Sequence, residues 1–468
     1  AEDLVLYLSE RDVPVGIITR NGYRNVRRAL SNFPRLRMRD FAIVVTRETG
    51  GRPKPAPDGV LFAARMLQVP VNEVLVVGDF VYDIEAGREA GAMTVLLCPA
   101  GAEHRFETPQ NADKTVAGLA EIREIVDARL PLPQGKLPNR QLSALLQSTG
   151  GSDSSVIVRP GVGEDVAVTD VSESDAVVLK SDPITFATEE AGYYAIMVNQ
   201  NDVVCGGGTP RWFLCSLLFP VGATAADVGN LLSAVADVCR AEGLSLVGGH
   251  TELTDAVSRP VISGMLVGVA QREQILRKQD ARQGDVLILT KGVAVEGTAI
   301  IAREFGDQLR QAGVSEQLLS SARSFLDHLS VKEDARVAME AGGVRAMHDV
   351  TEGGLATAVR ELSEAAGREI HLRMERIPVL PETQALCDWL ELDPLGLIGS
   401  GSLLIVADRE DGEGILRRLE EAGISATQIG TMEGSLPAGD HSVVASHDGG
   451  PTTFPEFAAD ELARLYGS

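Results

Sequence analysis

The chain has 468 residues, 44% of them hydrophobic, a length that predicts roughly three domains and a composition ordinary for a globular protein. Its 66 Asp and Glu against 43 Lys and Arg leave a formal charge of −23. That charge excludes a broad nucleic-acid or anionic-membrane surface, but not an anionic nucleotide held through a local metal ion. No apolar run approaches the roughly 18 residues of a membrane span, and the opening AEDLVLYLSERDVPVG lacks a signal-peptide pattern. Five widely spaced cysteines without a C-x-x-C pair fit reduced thiols, so a cytoplasmic protein is expected.

In chain order, residues 4–12 form a predicted helix and residues 13–18 a buried strand that ends at Thr19. Residues 41–45 are a second apolar run, and Lys54 follows in the proline-bounded stretch RPKPAPDGV. A helix over 58–67 leads to a strand over 74–77, which ends at Gly78-Asp79 with Asp83 four residues on. A helix continues over 87–90, and 94–97 is another strand. Strands alternating with helices predict a parallel α/β sheet, in which ligands sit at the carboxyl ends of strands. Thr19, Lys54, Asp79 and Asp83 all fall at or near such ends, although Asp79 taken alone reads as a helix cap.

The stretches VGIITRN, KPAPDGV and VVGDFVYDIEAGREAG resemble, in that order, the second, third and fourth motifs of the haloacid dehalogenase superfamily of phosphatases. The resemblance implies a partial Rossmannoid parallel sheet. It also implies that Thr19 and Lys54 hold a phosphate while Asp79 and Asp83 hold Mg2+. The family's nucleophile, the first Asp of a D-x-D-x-T motif, has no counterpart upstream of Val13. The aspartyl-phosphate route needs that residue, so phosphate-ester hydrolysis is not expected of this chain.

The sequence LPLPQG at 130–135 reads as a boundary after the helical AEIREIVDARL. The expected domains are 1–130, a linker at 131–135, then 136–277 and 278–468. Residues 156–158 are a short strand, followed by GVGEDVAV, where Gly161 and Gly163 precede Glu164 and Asp165. The apolar run 176–179 leads into Asp182 at an expected strand end. Residues 192–198 are helical and lead to Asn199, Asn201 and Asp202, with glycines at 206–208. Acids at element ends beside a flexible backbone suit a divalent cation carrying phosphates, though each alone is as readily a cap. Cys205 lies in this stretch as either a buried small hydrophobe or a reactive thiol.

RWFLCSLLF, residues 211–219, is almost continuously apolar and so is expected to be covered on both faces. A helix over 227–241 and a strand over 244–247 lead to Gly249, His250 and Thr251. His250 reads as a packing or hydrogen-bonding residue more readily than a ligand, and with only His348-Asp349 elsewhere there is no zinc-like spacing. Asp349, Gly353 and Gly354 lie in HDVTEGGL, which opens a helix over 355–362. That helix start is a candidate phosphate cradle or an ordinary glycine-rich connection.

GVGEDVAV, SDPITF, NQNDVVCGGGTP, GGHTELT, HDVTEGGL and DPLGLIGSGSLL, in series, resemble the aminoimidazole ribonucleotide (AIR) synthetase-like superfamily of ATP-dependent enzymes. The resemblance spans nearly all of 135–440, and its wording is most similar to the HypE-type hydrogenase maturation proteins. It implies a two-domain unit of α/β and α+β character, with the first domain pairing with its copy in a homodimer around ATP. It implies Asp165, Asp182 and Asp202 as metal-binding and catalytic acids. Gly163, Asn201, Gly249, Thr251, Asp349, Gly353 and Gly354 are implied to contact the nucleotide.

Two departures stand out. Glu164 replaces the usual first Asp of Gly-Asp-Asp, which keeps the charge and lengthens the reach by one methylene. The tail FAADELARLYGS has no cysteine of the kind HypE enzymes use to carry their substrate group, so their thiocarbamate dehydration is not expected in the same form. The expected function is Mg-ATP-dependent phosphoryl transfer to a small-molecule substrate by a homodimer, with no nucleic-acid or membrane partner. The alternatives are a phosphatase whose nucleophile lies outside this chain and a nucleotide-binding regulatory or scaffold dimer.

Overall fold

The structure is a computed structural model that describes residues 1–99, 111–132, 135–136, 145–146, 153–158, 168–172, 174–184 and 190–466. It divides into two compact units, Ala1–Pro131 with Thr224–Ala226, and Leu132–Ala223 with Asp227–Ser468.

In the first unit, β1 (Gly16–Ile18) pairs in parallel with β2 (Ile43–Val45). A separate parallel sheet contains β3 (Leu75–Gly78), β4 (Met93–Leu97) and β5 (Lys114–Val116). The helices are α1 (Glu2–Ser9), α2 (Tyr23–Leu30), α3 (Asp58–Leu67), α4 (Val81–Ala90) and α5 (Leu119–Asp127). The alternation of strand and helix follows the apolar pattern except at α2 and β5, which that pattern leaves unmarked, and the parallel strands form two sheets instead of the single one expected. Strand β1 is shorter than the predicted run because Pro14 offers no N–H to a ladder, and pairing begins only at Gly16. The cores are small: Val60, Ala86, Ala90 and Ala92 form one, and Val95, Val116, Ile122 and Ile125 another. Val77, Phe80, Val81 and Tyr82, around the end of β3, stay exposed.

The second unit contains a five-stranded sheet in the order β6 (Gly135–Lys136), β11 (Ser245–Thr254), β10 (Thr209–Pro220), β12 (Val261–Ala270), β9 (Ala176–Ile184). Two further short strands, β7 (Val156–Val158) and β8 (Val168–Thr169), pair with each other. Only β10 and β11 are parallel within the five-stranded sheet. Pro183 is accommodated because β9 is an edge strand among the described residues. Helix α6 (Ala191–Cys205) packs on β9, β10 and β12, and α7 (Ala225–Ala241) follows β10.

Among the described residues the near-continuous apolar strand β10 is covered along one face, and on the other only around Trp212, where Trp212 and Leu214 pack with Val156 and Val247. Phe213, Cys215, Leu217 and Phe219 are buried, while Ser216 is exposed and Leu214 and Leu218 are half-buried. On the edge strand β9, Leu179 is 60% exposed and Val177 49%. The helices shield one side, and alternation sends every second side chain to the other.

A seven-stranded mixed sheet completes the unit, in the order β14 (Val344–Asp349), β16 (Leu403–Ala407), β13 (Val286–Thr290), β17 (Ala426–Ser435), β15 (Arg368–Arg373), β18 (Val443–His447), β19 (Gly450–Thr452). Among its helices are α8 (Val295–Glu304), α9 (Gly306–Gln311), α10 (Glu316–Arg323), α11 (Lys332–Ala341) and α12 (Gly354–Ala366). Strands β13 and β16 are buried along their whole length, with helices on both faces. Asn201 Nδ2 donates to Leu329 O at 2.8 Å and its Oδ1 accepts from Val331 N at 2.9 Å, tying α6 to the segment before α11.

Candidate functional site

Lys180 and Asp182 alternate onto one side of β9, and Asp202 projects from the last turn of α6. The helix does not stop near residue 198 but continues to Cys205, so Asn199, Asn201 and Asp202 are helical. Their polar side chains do not break it, because Asn199 Nδ2 donates back to Ala195 O at 2.7 Å and its Oδ1 accepts from Asp182 N at 2.9 Å. That second bond locks strand and helix in register beside the acids.

Lys180 Nζ lies 2.9 Å from Asp182 Oδ2 and 2.9 Å from Asp202 Oδ2. Burial by itself would lower the pKa of this lysine. The hydrogen bonds and charges of Asp202 and Asp182 outweigh burial and push it up to about 12. All three side chains are about one-third exposed, so the cluster is open to solvent. The ammonium marks a position where a cation is shared by two carboxylates.

Oxygen donors of this kind suit Mg2+, which is usually held by one or two carboxylates with the remaining positions left to water and phosphate. Among the described residues no group of three or more His, Cys, Asp and Glu could hold a metal alone.

Behind Asp202 lies Asp349, at the end of β14 and almost fully buried. Its Oδ1 is 3.8 Å from the Cys205 Sγ, and its Oδ2 has no hydrogen-bond partner. Burial first, then the charge of Asp202, push its pKa up to about 6. Burial also holds the Cys205 thiol well above its ordinary value, with the Asp349 and Asp202 charges adding to the effect. This thiol is protonated and unreactive at neutral pH. His348 faces Glu361, with Nε2 and Oε2 3.2 Å apart.

The other expected positions are spread more widely. Asp182, Gly264, Cys215 and Gly249 form one row across the sheet, so Gly249 sits level with Asp182 but three strands away, about 14 Å. Gly249 has φ +153°, and a Cβ there would drive into the Cys215 carbonyl, so its backbone is needed for the irregular β10–β11 pairing. Thr251 is half-buried two residues on in β11, and exposed His250 pairs with Glu252 at 3.3 Å. Asn201 is fully buried, with both ends of its amide occupied by the 329–331 backbone. Gly353 and Gly354 do open α12 in left-handed conformations. The anion at that helix start is the chain's own Asp460, whose Oδ2 accepts from Gly353 N at 2.7 Å. Gly163 and Asp165 lie outside the described residues.

Lys180 and Asp460 were not singled out from the sequence. The i, i+2 pairing of Lys180 with Asp182 on a strand was a usable signal for the first. Asp460 is 107 residues from Gly353 and carries no local signal.

In the first unit, Lys54 Nζ donates to Ile18 O at 3.0 Å and forms an ion pair with Asp83, in the first turn of α4. Gly78 is required there because a Cβ would collide with the Asp83 side chain. Thr19 Oγ1 accepts from Asn21 N at 3.1 Å, and Asp79 is exposed just after β3.

Residues 163–270 match the model of the AIR synthase related protein N-terminal domain, and 282–437 that of its C-terminal domain. A selenide, water dikinase of Dechloromonas aromatica is 30% identical over 257 residues, covering 53% of this chain and 70% of that protein. The chain belongs to the AIR synthase related family. Within it, the carbamoyl dehydratase HypE of Cupriavidus necator is 26% identical over 324 residues, covering 67% of this chain and 86% of that protein. The crystal structure of Escherichia coli HypE superposes with a TM-score of 0.58 at 22% identity, over 70% of this chain and 99% of that one. A HypE crystallised in complex with ATP gives 0.54 at 20% identity, over 74% and 97%. These likenesses establish the AIR synthase-like two-domain fold. Asp182 and Asp202 fall within its N-terminal domain and Asp349 within its C-terminal domain. Residues 1–97 match the haloacid dehalogenase-like hydrolase model. Among the described residues no helix is long and apolar enough to cross a membrane.

Proposed function

We propose that this chain is a HypE-like, ATP-dependent enzyme that activates a small substrate by phosphoryl transfer, with the nucleotide held as its Mg2+ complex at Asp182 and Asp202. The single observation that carries this reading is the placement of one cation, the Lys180 ammonium, between those two carboxylates. Family membership supports it, and the relatives named as carbamoyl dehydratase and selenide, water dikinase support an ATP-dependent reaction. Asp165 and Gly163 would join the site from outside the described residues.

Mg2+ bound there would neutralise charge on the phosphates during transfer. The acceptor's oxygen or sulfur forms a bond to the γ-phosphorus as the bond from that phosphorus to the β–γ bridging oxygen breaks. ADP leaves with the electron pair, and the acceptor's proton passes to a carboxylate or water. The protein's part is positioning and a fixed electrostatic frame. Asn199 holds the Asp182 backbone against α6, so both acids are presented together.

The open side of the five-stranded sheet supports a homodimer through this domain, with Leu179, Val177, Met265 and Leu214 in the seam. A cytoplasmic location fits the unpaired cysteines. In the first unit, the Lys54–Asp83 pair favours a second, separate phosphate site in which Thr19 and Asp79 complete a haloacid dehalogenase-type arrangement.

Titration calorimetry with Mg-ATP tests the main reading. Asp182→Asn should weaken binding about tenfold or more, whereas exposed Glu420→Gln should leave it unchanged. Identical isotherms for wild type and Asp182→Asn would sink the site.

A further inference from the structure

Asp202 has a second neighbourhood, away from Lys180. It lines a cavity of about 390 Å³ together with Cys205, Leu276, Arg277, Lys278 and Met347. That volume lies in the range of small-molecule sites. The cavity is chemically mixed. Its lining includes the apolar Cys205, Leu276 and Met347, the acid Asp202 and two cations, Arg277 and Lys278. Arg277 is already committed to Asp280, at 3.0 Å. Lys278 is half-buried; among the described residues its ammonium makes no side-chain hydrogen bond and no ion pair within 4 Å, although its charge acts on Glu361 and Asp349 nearby. It also lines a larger adjoining cavity of about 770 Å³ with His348 and Glu361, so it stands where the two spaces meet. A half-buried ammonium whose acidic neighbours do not bond to it directly keeps its hydrogen-bond donors available to an incoming anion. A second unmet group lies beside this lining. Asp349 is on the same face of β14 as Met347, touches Cys205, and has one buried oxygen with no partner.

We propose that the cavity between Asp202 and Lys278 is the acceptor pocket, and that it takes a small molecule with a carboxylate or phosphate at one end and a short apolar body. The anionic end is held by Lys278, and the apolar body lies along Leu276, Met347 and Cys205. This orientation puts the atom that receives the phosphoryl group beside Asp202. The proposal rests on the reading of Asp182 and Asp202 as the nucleotide site, and it adds the substrate class and the residue that selects it.

Calorimetry on the full chain tests it with two probes, inorganic phosphate and butanoate, each titrated with and without a saturating non-hydrolysable Mg-ATP analogue. Wild type should bind at least one probe in both states. Lys278→Met should weaken that binding about tenfold, and Lys278→Arg should largely keep it. Exposed Ala365→Trp, which places a ring at the shared rim without disturbing the core, should block the probes. Affinity for the analogue should be unchanged in Lys278→Met, and this also shows that the variant is folded. Failure of wild type to bind either probe, or undiminished binding in Lys278→Met, overturns the proposal. A parallel loss of analogue binding in Lys278→Met assigns the lysine to the nucleotide and overturns it too. If the analogue does not bind wild type but the probes do, the nucleotide reading fails while the anion pocket stands.

Discussion

Lys180 Nζ lies 2.9 Å from Asp202 Oδ2, and the same ammonium reaches Asp182. A residue of an edge strand thus neutralises an acid on a helix, and any divalent ion shared by the two acids must displace it. Lys180→Met should remove that competitor and leave two carboxylates facing each other. The variant should lose about 1 kcal/mol or less without metal, since the side chains are about one-third exposed. Mg2+ should then raise its melting temperature more than that of wild type. Thermal melts with and without Mg2+ read this, and an equal shift in both proteins would show that the ammonium and the metal do not compete.

The open sheet face makes a prediction about assembly. Leu217 is 1% exposed and points into the chain's own core, so it is no part of a seam. Leu179 and Leu214 lie on the outer side. Leu179→Asp should convert a dimer to a monomer in light scattering, with circular dichroism unchanged. It should also weaken Mg-ATP binding if the site borrows from the partner copy. A wild-type protein that is already monomeric would dispose of the seam.

Glu296, near the start of α8, is fully buried, and neither of its oxygens has a well-formed hydrogen bond. Burial pushes its pKa from 4.5 up to about 7, against the opposing pull of Ser400. A carboxyl with a raised folded pKa binds its proton more tightly in the folded state. Its contribution is complete below the unfolded value and is lost as the pH rises through about 7. Glu296→Gln should therefore match wild type near pH 4 and exceed it near pH 8, by up to about 3 kcal/mol. Denaturant titrations at both pH values check this, and a variant less stable than wild type near pH 8 would mean that the ionised carboxylate has a partner it needs.

Much of the architecture was legible because it is local. The apolar runs and glycine or proline breaks of residues 41–97 predict β2, α3, β3 and β4 to within about two residues, since each depends on its own periodicity, but mark only the last four residues of α4. The motif series likewise resembles the AIR synthase-like family, whose two-domain fold the structure shows. The end of α6 was less legible. Asn199 looks like a helix stop in sequence, yet it is buried mid-helix because Ala195 and Asp182 supply its hydrogen bonds.

What the sequence by itself determined was most of the longer elements, the family and the acidic residues around which chemistry could be built. Tertiary structure alone decided which of them meet. Asp182 and Asp202 share a cation because β9 lies against α6, and Asp349 joins Cys205 across 144 residues of chain. Asn201 became a strut and Gly353 acquired Asp460 through partners 128 to 130 and 107 residues distant. The physical reason is that hydrogen bonding and electrostatics act over a few ångströms of space, whereas sequence patterns report only the few residues on either side.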